Sequence, residues 1–129
     1  MKHKNKIKFI DFEYFGWDDP AKLTSDVLWH PGANLTDDLK IKWVNHCVEI
    51  YSKGDPLFKK RLCASYPLYG ICWCLITLNE YQADVWERRS QANHHLEEQR
   101  TEILKNQLNK AQNFITQIEQ TKFKIPYLN

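Results

Sequence analysis

The sequence predicts a single-domain, mainly α-helical protein with one short β-strand near its N-terminus. Three observations predict it. Helix-opening signals recur at Asp19-Pro20, Thr36-Asp37-Asp38 and Asp55-Pro56, where a side-chain acceptor or an acidic first turn precedes an apolar run. Within those runs the apolar residues recur every three or four positions, the period of a helix face. One stretch alone, Phe9 to Phe15, is dense in aromatic and β-branched residues in the way of a strand. At 129 residues the chain suits one domain with one core.

In chain order, Lys2 to Ile7 reads as a hairpin turn leading into that strand, and Gly16 offers the turn out of it. The first helix is expected from Pro20 to about Trp29, stopped by His30-Pro31-Gly32 because the residue before a proline is biased out of helical geometry. A second is expected from Thr36 to about Ser52, with Leu39, Trp43, Val44, Cys47, Val48 and Tyr51 as its core stripe and Lys53-Gly54 as its stop. A short helix carrying Leu57, Phe58 and Leu62 follows, interrupted by Pro67. From Leu68 to Gln82 the chain is apolar nearly all round, which predicts a helix buried on most faces at the centre of the core. It reads as too short, and too polar at its end, to span a membrane. The last helix, about His94 to Thr121, carries Leu104, Leu108, Ala111, Ile115 and Ile118. That is about two heptads, so a stripe docked on the domain is expected rather than a coiled coil. Pro126 marks the end of regular structure.

The strand-like stretch holds two acids, Asp11 and Glu13, in an apolar run. A buried carboxylate needs a cation or donors. The motif Ile10-Asp11-Phe12-Glu13-Tyr14, followed by Gly16-Trp17-Asp18-Asp19-Pro20, resembles the metal-binding strand of the aminoglycoside phosphotransferase and choline kinase family, relatives of the protein kinases. The resemblance continues through Asp26, His30-Pro31-Gly32, Tyr66-Pro67-Leu68-Tyr69-Gly70, Trp73-Cys74-Leu75-Ile76, Leu78-Asn79-Glu80 and Trp86-Glu87-Arg88-Arg89. It implies the helical C-terminal subdomain of the protein-kinase-like fold, with residues 1–129 as one unit and a short strand carrying the metal-binding Asp.

By that resemblance Asp11 would hold magnesium on the phosphates of ATP. Asp26 would be a structural anchor bracing the catalytic loop. Glu13, Trp17, Glu80 and Trp86 are the candidate substrate-binding residues: carboxylates suit a polyamine, and aromatic faces, Tyr81 included, suit a cationic head group. Packing and capping roles stand beside each of these. The family's phosphate-covering loop, its clamping lysine and its His-x-Asp-x-x-x-x-Asn loop precede the metal strand, and ten residues before Asp11 cannot hold them. The expectation is that Met1 falls near a turn between two strands of a longer protein.

Composition narrows the partners. A net charge of +2 argues by itself for neither nucleic acid nor an anionic membrane, and lysines at 2, 4, 6 and 8 read as a solvated strand edge. Cys47, Cys63, Cys72 and Cys74 without a secretory signal suggest a reducing cytoplasm. Cys72 and Cys74 would point about 200° apart on a helix, a poor metal pair. His94 and His95 are no better, and His46 reads as solvated.

The functional expectation is thus the C-terminal part of a small-molecule kinase. In its complete form it would pass the γ-phosphate of ATP, with Mg2+, to a small-molecule hydroxyl, and it would be inactive without the missing lobe. The alternative is a non-catalytic helical interaction module or remnant. That would associate with a partner chain, such as a separate N-terminal lobe, through the apolar face around Phe9, Phe12 and Phe15.

Overall fold

Helix α3 (Phe58–Thr77) is the element on which the others pack. The computed structural model describes residues 2–3, 6–7, 16–92, 99–121 and 124–128. Along the chain come β1 (Lys2–His3), β2 (Lys6–Ile7), α1 (Pro20–Trp29), α2 (Asp37–Tyr51), α3, a 3-10 turn at Leu78–Tyr81, α4 (Ala83–Ala92) and α5 (Arg100–Thr121). β1 and β2 pair antiparallel, Lys2 opposite Ile7 and His3 opposite Lys6. The expected strand through Asp11 lies outside the described residues.

α1 begins where the sequence places it. Asp19 accepts the Ala21 N–H at 2.9 Å and Pro20 occupies the first turn, where its missing donor costs nothing. Its buried face is Ala21, Thr24, Ser25 and Trp29. The two hydroxyls are satisfied within the helix, Thr24 by the Pro20 carbonyl at 2.8 Å and Ser25 by that of Ala21 at 2.7 Å. Such short side chains let α1 lie close on its neighbours, and Trp43 of α2 donates its indole N–H to the Thr24 carbonyl at 3.1 Å.

α2 buries Val44 and Cys47 and rests Trp43, Val48 and Tyr51 on the core. Leu39, expected in that stripe, is 49% exposed instead. It sits in the first turn of α2.

Two expectations for α3 are corrected. Pro67 does not interrupt it: the helix runs through, with Phe58, Leu62, Tyr66, Pro67, Gly70, Cys74 and Thr77 all buried on one side. Proline removes one intrahelical bond. Burial of the seven-residue stripe against α1 and α5 outweighs that loss. Asp55 accordingly starts a turn rather than a separate helix, accepting the Leu57 N–H at 2.9 Å ahead of Phe58. Nor is the apolar run buried all round. Leu68, Ile71, Leu75 and Ile76 are 41–60% exposed on the opposite side, because α1 and α5 cover only one flank.

The uninterrupted helix also changes its length. Phe58–Tyr81 is long and apolar enough to cross a membrane by length and composition, against the expectation of a shorter element. It is the one such helix among the described residues, and 33% of its apolar window is buried.

α5 docks along α3, as a single stripe should. The stripe itself is shifted from the expected one. Ala111, Phe114 and Thr121 are buried and Ile118 packs on the core, while Leu108 and Ile115 are each 43% exposed. Phe114 takes the inward place because its ring meets Trp29 edge-on, with centroids 6.0 Å apart. Beyond α5 the chain folds back, and Ile125, 3% exposed, closes the core.

Candidate functional site

The segment that leads from the sequence motif into α1 is a polar network. Asp18 accepts the Asp19 N–H at 2.7 Å and its other oxygen faces Lys22 at 3.2 Å. Lys22 also reaches Asp26, one turn further on, at 2.9 Å. Arg61 of α3 bonds both Asp19 and Asp55, reaching Asp55 from two guanidinium nitrogens at 2.8 and 3.0 Å. One guanidinium thus ties the start of α1 to the start of α3.

The charges respond accordingly. The backbone N–H of Asp19, then Lys22, hold the Asp18 carboxyl below its usual range. Arg61 does the same for Asp55 against the opposing effect of burial, with a further contribution from the Leu57 N–H. Lys22 is raised by Asp26 and Asp18. Tyr69 is pushed up by burial first and then by the field of Asp19, Asp18 and Asp26.

Asp26 sits at the junction of α1 and α3. Its Oδ1 accepts the Trp73 indole N–H at 2.9 Å, while Oδ2 takes Lys22. The Trp73 ring in turn meets His30 edge-on at 4.8 Å, so the end of α1 is held on the same residue. Asp26 therefore fastens two helices. The catalytic loop it would brace in the family is not part of this sequence.

The remaining expected residues are dispersed. Asp11 and Glu13 lie outside the described residues. Trp17 is fully exposed and projects from the segment before α1. Glu80, in the turn after α3, is paired with Arg89 of α4 and accepts the Gln107 amide of α5 at 3.2 Å. Trp86 is 4% exposed, with the Arg100 guanidinium over its ring at 5.2 Å. Tyr81 donates its hydroxyl to the Leu104 carbonyl at 2.8 Å. Glu80, Trp86 and Tyr81 thus join α4 and α5 to the end of α3. Both of these Glu80 contacts fall on Oε1, and its Oε2 is buried without a hydrogen-bond partner among the described residues, so these residues make no open aromatic cage.

No group of three or more His, Cys, Asp or Glu side chains is placed to hold a metal ion among the described residues. Asp18, Asp19 and Asp26 are committed to Lys22, Arg61 and Trp73. They do not by themselves make a magnesium or ATP site. The cysteines are separate: Cys72 is exposed, Cys74 and Cys47 are buried, and burial raises both buried thiols.

Sequence reasoning missed Arg61 and Trp73. Arg61 follows Lys59 and Lys60, and nothing local in the sequence marks which of the three cations bridges to Asp19 and Asp55. Trp73 lay inside an apolar run, where an indole reads as packing. Its N–H demands an acceptor when buried, and that rule, applied across helices, points to a carboxylate such as Asp26.

No family model, curated protein or solved structure matches this chain.

Proposed function

We propose that the chain is the helical C-terminal part of a kinase-like small-molecule phosphotransferase. In its complete form that protein transfers the γ-phosphate of ATP to a small-molecule hydroxyl in the cytoplasm. The observation that carries the reading is the motif from Ile10 to Pro20, which runs directly into a helix capped by Asp19 and fastened at Asp26. In this reading Asp11 is the magnesium ligand. Phosphoryl transfer depends on positioning and charge neutralisation, and a single metal aspartate without a phosphate loop or base supplies little of either. The 129-residue chain alone is therefore expected to show no ATP-dependent phosphorylation.

The deciding experiment is to translate the DNA immediately upstream of the Met1 codon in its three forward frames. A nucleotide lobe with a His-x-Asp-x-x-x-x-Asn-like loop supports the reading. Its absence there, or robust phosphotransfer by the purified chain, overturns it.

A second reading, a non-catalytic module that packs on a partner chain, is favoured by the exposed stripe Leu68, Ile71, Leu75 and Ile76. An apolar helix face of this kind is what a further lobe, in the same chain or another, would cover. Light scattering distinguishes it: a clean monomer over a wide concentration range counts against self-association through that face.

A further inference from the structure

Two adjoining cavities are lined by α1, the loop after it, α2 and, for the first, α5. The first, about 420 Å³, has Trp29 and Phe114 in its lining, with Lys40, Lys110, Asn113 and His30 as its polar groups. No acidic residue lines it. The second, about 390 Å³, is walled by Val27, Leu35, Leu39 and Trp43, with Lys42 and His46 completing its lining and its exposed surface almost wholly apolar. Val27 and Leu35 line both, so the two form one continuous surface.

The two parts differ in chemistry. The first offers two ammonium groups and amide donors over an aromatic wall, within the size range of small-molecule sites. Lys40 is oriented there by the Tyr127 hydroxyl and Asp37, each at 3.2 Å. The Gly32 N–H donates to His30 Nδ1 at 3.0 Å, which leaves Nε2 as the ring's donor. The loop between them holds Asn34 at φ 31°, the only positive φ at a non-glycine among the described residues. Asparagine tolerates that bend better than other side chains, and such backbone outliers gather at ligand sites. The second cavity is a groove of aliphatic and indole surface, and it accounts for Leu39, which the domain's own packing leaves half uncovered.

We infer that this paired cavity binds an amphipathic monoanion, a single carboxylate or phosphate head on an aliphatic chain. The head lies between Lys40 and Lys110, and the chain runs past Val27 and Leu35 into the groove at Leu39 and Trp43. Charge selects the head and apolar area selects the tail, so neither a bare anion nor a cationic amphiphile satisfies both parts.

The test titrates the full chain with decanoate below its micelle concentration and follows the indole N–H resonances by NMR. Trp29 and Trp43 report the two cavities, and both indoles have fixed acceptors, Tyr66 and Thr24. Decanoate is expected to shift both saturably while Trp17 and Trp86 stay in place. Decylammonium and acetate are expected to do neither. Lys110→Glu, at an exposed position, should weaken decanoate about fivefold with the melting temperature unchanged, and Leu39→Ser should weaken it while sparing the charge preference. Equal binding of decylammonium, no saturable shift, or shifts confined to residues near Leu68 and Leu75 would each overturn the assignment.

Discussion

The Trp29 indole lies against the backbone of α3 at Gly70, and its N–H is bonded to the Tyr66 carbonyl one turn earlier at 2.9 Å. The same ring stacks on Tyr66 with centroids 4.7 Å apart and an interplanar angle of 27°. Close approach and hydrogen bond require each other: without the missing side chain at position 70 the indole could not reach the carbonyl. α1 and α3 are therefore locked at one point by shape and by a polar bond together.

Gly70→Ala tests that lock. A Cβ there would sit 2.8 Å from Trp29 Cζ2 and from Ile118 Cγ1, and the indole, being hydrogen-bonded, cannot simply rotate away. Alanine is otherwise favoured over glycine inside a helix by about 0.5–1 kcal/mol. The expected result is nonetheless a loss of about 1–3 kcal/mol in urea unfolding, the usual cost of overpacking. A gain in stability would show that the contact yields.

Asp26 gives a second, graded prediction. Asp26→Ala leaves the Trp73 N–H and the Lys22 ammonium without their acceptor, and a bond to a charged partner is worth about 1.5–3 kcal/mol. Asp26→Asn keeps an oxygen for Trp73 and loses only the charge opposite a half-exposed lysine, so it should cost less than half as much. Chemical denaturation of the two variants side by side measures the difference. Equal losses would mean that the charge, and not the indole bond, holds the helices.

These two residues also show how far the sequence was legible. The bounds of α1 and α2 followed from local rules, because a capping acid, a first-turn proline and a terminal Pro-Gly act within a few residues. Helix α3 was misjudged twice, and both errors concern tertiary context. Pro67 looked like a break because propensity sees one lost bond, not the buried stripe on either side of it. Leu75 looked like core because an all-apolar helix predicts burial, but only two helices were available to cover it. In α5 the expected stripe through Ile115 is displaced by one residue to Phe114, whose ring meets Trp29. The resemblance implies for Asp26 a brace on a catalytic loop; its bond to Trp73, 47 positions away, was not legible.

The acid limb of stability should depend on Asp55, held by Arg61, and on Asp18, held by the Asp19 N–H and Lys22. The Asp55 and Asp18 carboxyls are held below the usual carboxylate value of about 3.9, so the unfolded chain binds protons there before the folded one does. Their contribution is complete above that value and is lost as pH falls through the lowered folded values. Asp55→Asn should flatten the loss of melting temperature below about pH 4 while lowering it modestly at neutral pH. An unchanged acid limb would show that Asp55 does not contribute.

The four thiols offer a reading of whether the α3 stripe is covered in solution. Cys72 is exposed among Leu68, Ile71, Leu75 and Ile76, whereas Cys47 and Cys74 are buried with raised thiol values, and Cys74 faces the Ala111 carbonyl at 3.6 Å. Access favours Cys72, and the raised thiols of Cys47 and Cys74 are disfavoured as nucleophiles. In dilute protein a disulfide reagent should therefore modify Cys72 first, the half-buried Cys63 more slowly, and the other two only on unfolding. If the stripe mediates self-association, the Cys72 rate should fall as protein concentration rises, and Leu75→Glu should restore the dilute rate by placing an unpaired charge in the interface. A Cys72 rate independent of concentration would show that the isolated chain does not self-associate through the stripe.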